Sequence, residues 1–295
     1  MVQLRYVSVA RACLPVFLFL PVFATAQQPE RKVDPTFLRR HLPDVAAKPA
    51  DVTTDSCQYK PLFGAGDSET TIVRGVARFG EMTVAPGGSS KPVSYPMEEQ
   101  VYVIMEGSGL LHYGADSSPL KKHDFLYLPA TVEHSVANPS GAPLRLFVMG
   151  FRLPEKAAPP PSLMIANYDD VKKQQVGGHP DSVVYQLMMG DVSSKRDRLA
   201  AAHLLVSLYV MEFAPGGTNF PHHHDNEEEI YVLLDGKGDM VAGSGTNGIE
   251  GRYPATPGDA YFFRLNATVG FYNDAQGPAH ILAVRSTFPR RGGGR

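Results

Sequence analysis

Cysteine is nearly absent from this 295-residue chain, which holds only Cys13 and Cys57. A disulfide-stapled scaffold is therefore excluded, and stability has to come from burying apolar surface. An excess of either charge is missing too: 28 Lys and Arg face 30 Asp and Glu. That balance gives no electrostatic footing for nucleic acid or an anionic membrane surface. Helical periodicity is sparse. The pronounced apolar run, residues 12–22 (ACLPVFLFLPV), is short for a bilayer span and carries two prolines. What the chain does have is glycine (28) and proline (25) scattered between short apolar stretches, the pattern of many strands joined by turns. Its length accommodates two domains of ordinary size.

The apolar run follows Arg5 and Arg11 and precedes Phe23-Ala24-Thr25-Ala26, small residues where a signal peptidase cuts. We expect residues 1–26 to be a signal peptide, with a secreted or periplasmic product and no stable membrane insertion after cleavage. A retained anchor is the alternative. Cys13 sits ahead of most of the apolar run, which argues against lipid attachment, and cleavage leaves Cys57 as an inert buried thiol. Residues 27–56 read as a polar, proline-punctuated arm exposed to solvent, with one short amphipathic piece near residues 35–42.

Residues 86–109 (PGGSSKPVSYPMEEQVYVIMEGSG) align without a gap to residues 215–238 (PGGTNFPHHHDNEEEIYVLLDGKG) at an offset of 129. The copies continue: His123-Asp124 corresponds to Gly258-Asp259, Asn138 to Asn273, and residues 59–67 resemble 185–191. The chain is therefore a duplicated unit. Each copy carries strands of four to eight residues broken by Gly, Pro, Asn and Asp, so each half is expected to be an all-β sandwich or barrel. Residues 154–180 begin with a proline-rich linker, with a helical turn near 169–173, and residues 290–295 form a disordered tail.

Chemistry concentrates in residues 215–238. His222 and His224 are two apart, so in an extended segment they share a face while His223 points away. A polar turn over residues 225–228 would bring Glu229 back toward both imidazoles from the adjoining strand. Two imidazoles and a carboxylate suit a divalent ion such as Fe, Mn or Ni and leave coordination positions for water, substrate or dioxygen. Burying this trio without such compensation would cost several kcal/mol.

The spacing resembles that of the cupin family. Gly216, His222, His224, Glu229 and Gly236 fill every named position of its first motif. Gly258 and Asn273 match the ends of its second motif, where Arg264, Asn266 and Val269 replace the Pro, Gly and His. The resemblance implies two tandem jelly-roll β-barrels, over residues 57–153 and 181–289, with metal ligands His222, His224 and Glu229. It also implies that Val269 removes a fourth ligand. In the first copy Val93, Tyr95 and Gln100 replace the ligands and only His134 remains, so that barrel is expected to be metal-free, holding at most a small polar pocket.

Other candidates carry bland alternatives. His280 could substitute for the missing ligand, or pair with a backbone carbonyl. Tyr231 and Phe271 should share the barrel interior, Tyr231 with a hydroxyl able to orient a ligand. Arg264 could meet a carboxylate or lie on the surface. No catalytic residue is assigned; Glu228 is the one candidate acid or base. His41, His112, His123, His179 and His203 read as structural or exposed. Two functions follow: a metal-dependent enzyme (a dioxygenase, decarboxylase or aminohydrolase) acting on a small organic metabolite, or a metal-free binding or structural protein. Either would take a small molecule, and a homo-oligomer is compatible with both.

Overall fold

The computed structural model describes residues 34–68, 72–154, 157, 162–244 and 250–287. The expected signal segment and the tail at 290–295 lie outside them. Before the first repeat comes β1 (Phe37–His41). The first repeat contains β2 (Cys57–Gly64), β3 (Arg78–Val84), β4 (Glu98–Glu106), β5 (Ser108–Tyr113), β6 (Asp116–Lys121), β7 (Asp124–Leu128), β8 (His134–Ala137) and β9 (Leu144–Arg152). Two short strands follow, β10 (Met164–Asn167) and β11 (Lys173–Gln174). The second repeat contains β12 (Val183–Asp191), β13 (Leu199–Ala202), β14 (Leu205–Phe213), β15 (Glu227–Asp235), β16 (Gly238–Ser244), β17 (Glu250–Ala255), β18 (Asp259–Phe263), β19 (Ala267–Tyr272) and β20 (Ala279–Thr287).

Each repeat closes a large sheet over a three-stranded one. In the first, β10-β7-β4-β9-β3-β2 faces β6-β5-β8; in the second, β1-β18-β15-β20-β14-β12-β11 faces β17-β16-β19. Both are the expected jelly-roll arrangement. The two large sheets also pack on each other. Along β4, Val101 and Val103 enter the core between the barrels, while Tyr102 and Ile104 enter the first barrel's own core. Along β15, Ile230 and Val232 face the shared core, and Tyr231 and Leu233 face the second barrel's interior. Period-two alternation thus feeds two cores at once, which is why runs such as IYVLL are apolar without a break. Each fully buried aromatic there, such as Phe79 or Phe262, contributes about 2–3 kcal/mol of transfer free energy.

The leading segments are exchanged. β1, from the region read as a solvated arm, pairs antiparallel with β18 of the second barrel, Phe37 opposite Phe263. β10, in the inter-repeat linker, pairs with β7 of the first barrel, Asn167 opposite Asp124. The exposure expectation for the arm therefore fails at Phe37–His41. Leu38 is buried in the shared core, and Arg39 and His41 both reach Asp259, at 3.0 and 3.2 Å. Arg264, offered as a carboxylate partner for a ligand, instead donates to the Pro35 carbonyl at 3.2 Å and fastens the same segment.

Two buried carboxylates at corresponding positions lock the barrels together. Glu99 accepts from the backbone N–H of His203 at 2.8 Å, contacts His203 Nδ1 at 2.9 Å, and accepts the Tyr127 hydroxyl at 2.7 Å. Glu228 accepts from the backbone N–H groups of Arg74 at 3.0 Å and Gly75 at 2.5 Å. A Cβ on Gly75 would fall 2.2 Å from Ser286 Oγ, so glycine alone lets that backbone approach. This corrects the expected turn at residues 225–228. Strand β15 already begins at Glu227, and Glu228 points out of the barrel, away from Glu229. It is a clamp between barrels and not an acid–base group of the site.

Candidate metal centre

The histidine segment is held as an irregular strand against β19. His222 and Val269 exchange both backbone hydrogen bonds, at 2.9 and 2.8 Å, and Asn266 N–H donates to the His224 carbonyl at 2.9 Å. Val269 therefore anchors by its main chain the histidine that its side chain cannot assist. Just ahead of these contacts Phe220 adopts a φ of +51°, rare for a bulky residue. That turn sends its carbonyl to His222 Nδ1 at 2.8 Å. A carbonyl can only accept, so Nδ1 carries the proton and Nε2 keeps a free lone pair.

The structure brings His222, His224 and Glu229 together: one ligand atom from each lies within 4.8 Å of the others. The imidazoles of His222 and His224 stand perpendicular, centroids 5.0 Å apart. His224 Nε2 and Glu229 Oε2 are both buried and form an ion-pair contact at 3.2 Å, and neither makes a directed hydrogen bond among the described residues. Glu229 Oε1 accepts the Tyr209 hydroxyl at 2.7 Å, which leaves Oε2 facing His224. His223 is exposed and turns toward Asp225.

Electrostatics favour the ligand protonation states. Burial holds His222 below its ordinary pKa, so its ring is neutral. Burial works to raise Glu229, but His224, Arg285 and the Tyr209 hydroxyl outweigh it and its pKa is lowered. Arg285 stands directly opposite Glu229 on β20 and is itself bound to Glu227 through Nε at 2.7 Å. Burial and the Glu229 charge push Tyr209 well above its ordinary range, so it stays a hydroxyl donor.

Tyr231 and Phe271 lie in the second barrel's core, as their alternation implies. The Tyr231 hydroxyl accepts from Asn219 Nδ2 at 3.1 Å, so it braces the histidine segment. His280 is remote from the cluster: its ring nitrogens meet Asp235 at 2.7 Å and Glu212 at 3.2 Å. The partners are carboxylates, not the expected carbonyl, because His280 faces outward into a cleft of about 590 Å³ between the barrels. None of the three clustered residues lines that cleft.

Sequence reasoning missed Tyr209, Arg285, Tyr185 and His179. The first three sit on strands with no motif to mark them. His179, read as structural or exposed, meets His222 edge-on at 5.4 Å. Of the other four, His41, His123 and His203 pair with Asp259, Asp169 and Glu99, and His112 with Ser117.

In the first barrel an arginine fills the equivalent place. Arg78 lies over the ring of Tyr95, the counterpart of His224, at 4.3 Å and donates to its hydroxyl at 3.0 Å. The same guanidinium binds Glu98 at 2.7 Å and Asp51 at 2.8 Å, and Gln100 donates to Glu98 at 2.7 Å. His134 is buried against the Tyr102 hydroxyl at 3.1 Å, and burial lowers its pKa. A fixed side-chain cation thus supplies the positive charge there. Cys57 is buried, with its thiol pushed up to about 11 by burial.

Duplicated jelly-roll barrels with a His-x-His and Glu cluster in one of them define a two-barrel protein of the kind the motif suggested. The chain belongs to the cupin family: the cupin-domain model matches residues 80–150 and 209–285. A segment of 81 residues is 27% identical to the uncharacterized protein MJ1618 of Methanocaldococcus jannaschii, covering 27% of this chain and 65% of that protein. Among solved structures, a Pseudomonas aeruginosa protein described as glyoxylate-induced superimposes with a TM-score of 0.71 at 16% identity, over 90% of this chain and 94% of that one. Protein YlbA of E. coli gives 0.66 at 13% identity, over 87% and 93%. A deletion mutant of Bacillus subtilis oxalate decarboxylase gives 0.63 at 13% identity, over 85% and 77%. At these identities the structures share the fold.

Proposed function

We propose that the second barrel binds one divalent metal through His222, His224 and Glu229, and that the protein is a metal-dependent enzyme acting on a small organic metabolite. The observation that carries this reading is the buried pair His224 Nε2 and Glu229 Oε2, an ion-pair contact at 3.2 Å in which neither atom has a directed hydrogen bond among the described residues. Burying such atoms costs several kcal/mol that this contact offsets only in part, and coordination supplies the rest. The donor set of two nitrogens and one oxygen fits Fe(II), Mn(II) or Ni(II). Bacillus subtilis oxalate decarboxylase, which shares the fold, contains Mn(II) centres. The metal would serve as a Lewis acid or as the place where dioxygen binds. The Phe220 carbonyl fixes the His222 tautomer, the Tyr209 hydroxyl orients Glu229, and Arg285 adds positive charge that favours an anionic ligand. The first barrel, filled by Arg78, acts as scaffold.

The test is metal content by mass spectrometry on protein purified without a histidine tag. Stoichiometric Fe, Mn or Ni is expected in the wild type, with loss of at least nine-tenths in His222→Ala and in Glu229→Ala (about tenfold or more in affinity). Wild-type protein that stays metal-free after reconstitution would sink the reading. We also propose export, on the pattern of Arg5, Arg11 and the apolar run before Ala26. N-terminal sequencing of the exported protein should begin at Gln27; an intact Met1 terminus on protein inside the cell rules it out.

A further inference from the structure

His179 precedes β12, next to Gly178 with its φ of +86°, and lies outside both cupin motifs. Its ring meets His222 at 5.4 Å and 77°, against 5.0 Å and 86° between His222 and His224. Imidazoles sharing one ion have centroids roughly 4.5–5.5 Å apart, since each nitrogen stands about 2.1 Å from the metal. His179 thus has the spacing and perpendicular setting of a co-ligand of His222.

Nδ1 of His179 is buried and has no hydrogen-bond partner among the described residues, so it is a nitrogen left for a ligand. Metal-bound histidines characteristically donate their second ring N–H to a backbone carbonyl, the bond that His222 makes to Phe220. The Asn219 side chain fixes the turn by donating to the Tyr231 hydroxyl at 3.1 Å and accepting from Phe271 N–H at 2.8 Å.

We propose that His179 is a protein ligand of the metal, taking through Nδ1 the role that Val269 vacates in the second motif. This rests on the metal-site reading above. His179 is not within the 4.8 Å cluster, so coordination draws its ring inward, a movement that Gly177 and Gly178 permit.

The test uses the full chain loaded with Cu(II), counting bound imidazole nitrogens from hyperfine couplings, together with Mn(II) affinity. Three imidazole nitrogens are expected in the wild type, two in His179→Ala and two in His179→Phe, with Mn(II) affinity falling about tenfold or more in both. The His179 ring also packs on Tyr185 at 5.3 Å, and phenylalanine keeps this packing and that on His222, so recovery of affinity in His179→Phe would assign a packing role and overturn the proposal. Two nitrogens in wild type and His179→Ala alike, at equal affinity, would overturn it while leaving the metal site intact. Wild-type protein that binds neither ion removes both readings together. Circular dichroism of each variant confirms that the barrels are folded.

Discussion

Glu99→Ala is expected to lower the stability of the folded chain by about 4 kcal/mol, the range found when one partner of a buried polar network is removed. Glu99 is fully buried, and its oxygens serve the His203 amide, the His203 ring and the Tyr127 hydroxyl. Alanine would strand all three donors in the core between the barrels, where water cannot replace the carboxylate, and would open a cavity beside them. Glu99→Gln should cost less, since an amide oxygen still accepts. Guanidinium unfolding measures this from the shift in midpoint. A loss below about 1 kcal/mol for Glu99→Ala would show that the clamp contributes little.

Glu228→Gln is expected to change the pH dependence of stability more than its value at acid pH. Glu228 occupies the corresponding position, but no tyrosine hydroxyl meets it, because Phe262 stands where Tyr127 stands in the first barrel. Its Oε1 is buried without a partner. Burial, opposed by the Gly75 and Arg74 amides, raises its pKa from 4.5 to about 7. A raised folded-state pKa means the folded chain binds the proton more tightly than the unfolded chain. The resulting stabilisation is complete below pH 4.5 and is lost as pH rises through 7. The loss amounts to roughly 3 kcal/mol between those limits. Glutamine keeps an acceptor for both amides and cannot ionise, so the wild-type and variant curves should separate by about that amount from pH 5 to 8. Parallel curves over that interval would show that Glu228 does not titrate there.

The repeat, the strands of both barrels and the convergence of His222, His224 and Glu229 were legible because each rests on local order. Period-two alternation and a gapless offset need no knowledge of distant contacts. The face of Glu228 was not legible. Starting β15 two residues earlier moves Glu227 and Glu228 out of the turn and into the alternation, so that Glu228 takes the face opposite Glu229. His179 gives no spacing signal, since folding alone carries it from the segment before β12 to His222. Arg78 looked like any strand arginine until Asp51, Tyr95 and Glu98 closed around it. β1 was legible only as a short amphipathic piece, and its pairing was hidden by composition: FLRRH is polar because an edge strand exposes much of its length, and Asp259 pairs with two of those polar residues.

The exchange of β1 and β10 also sets an order of events during folding. β10 docks on β7 about forty residues upstream, whereas β1 finds no partner strand until Asp259–Phe263 has been made, more than two hundred residues later. Closing so long a loop is slow, because the entropy is lost before any contact compensates it. The segment made early is therefore among the last to dock, and until it does the edge of β18 stays open to strands of other chains. A chaperone that shields that edge, or dilution of the nascent chain, would raise the yield of native protein.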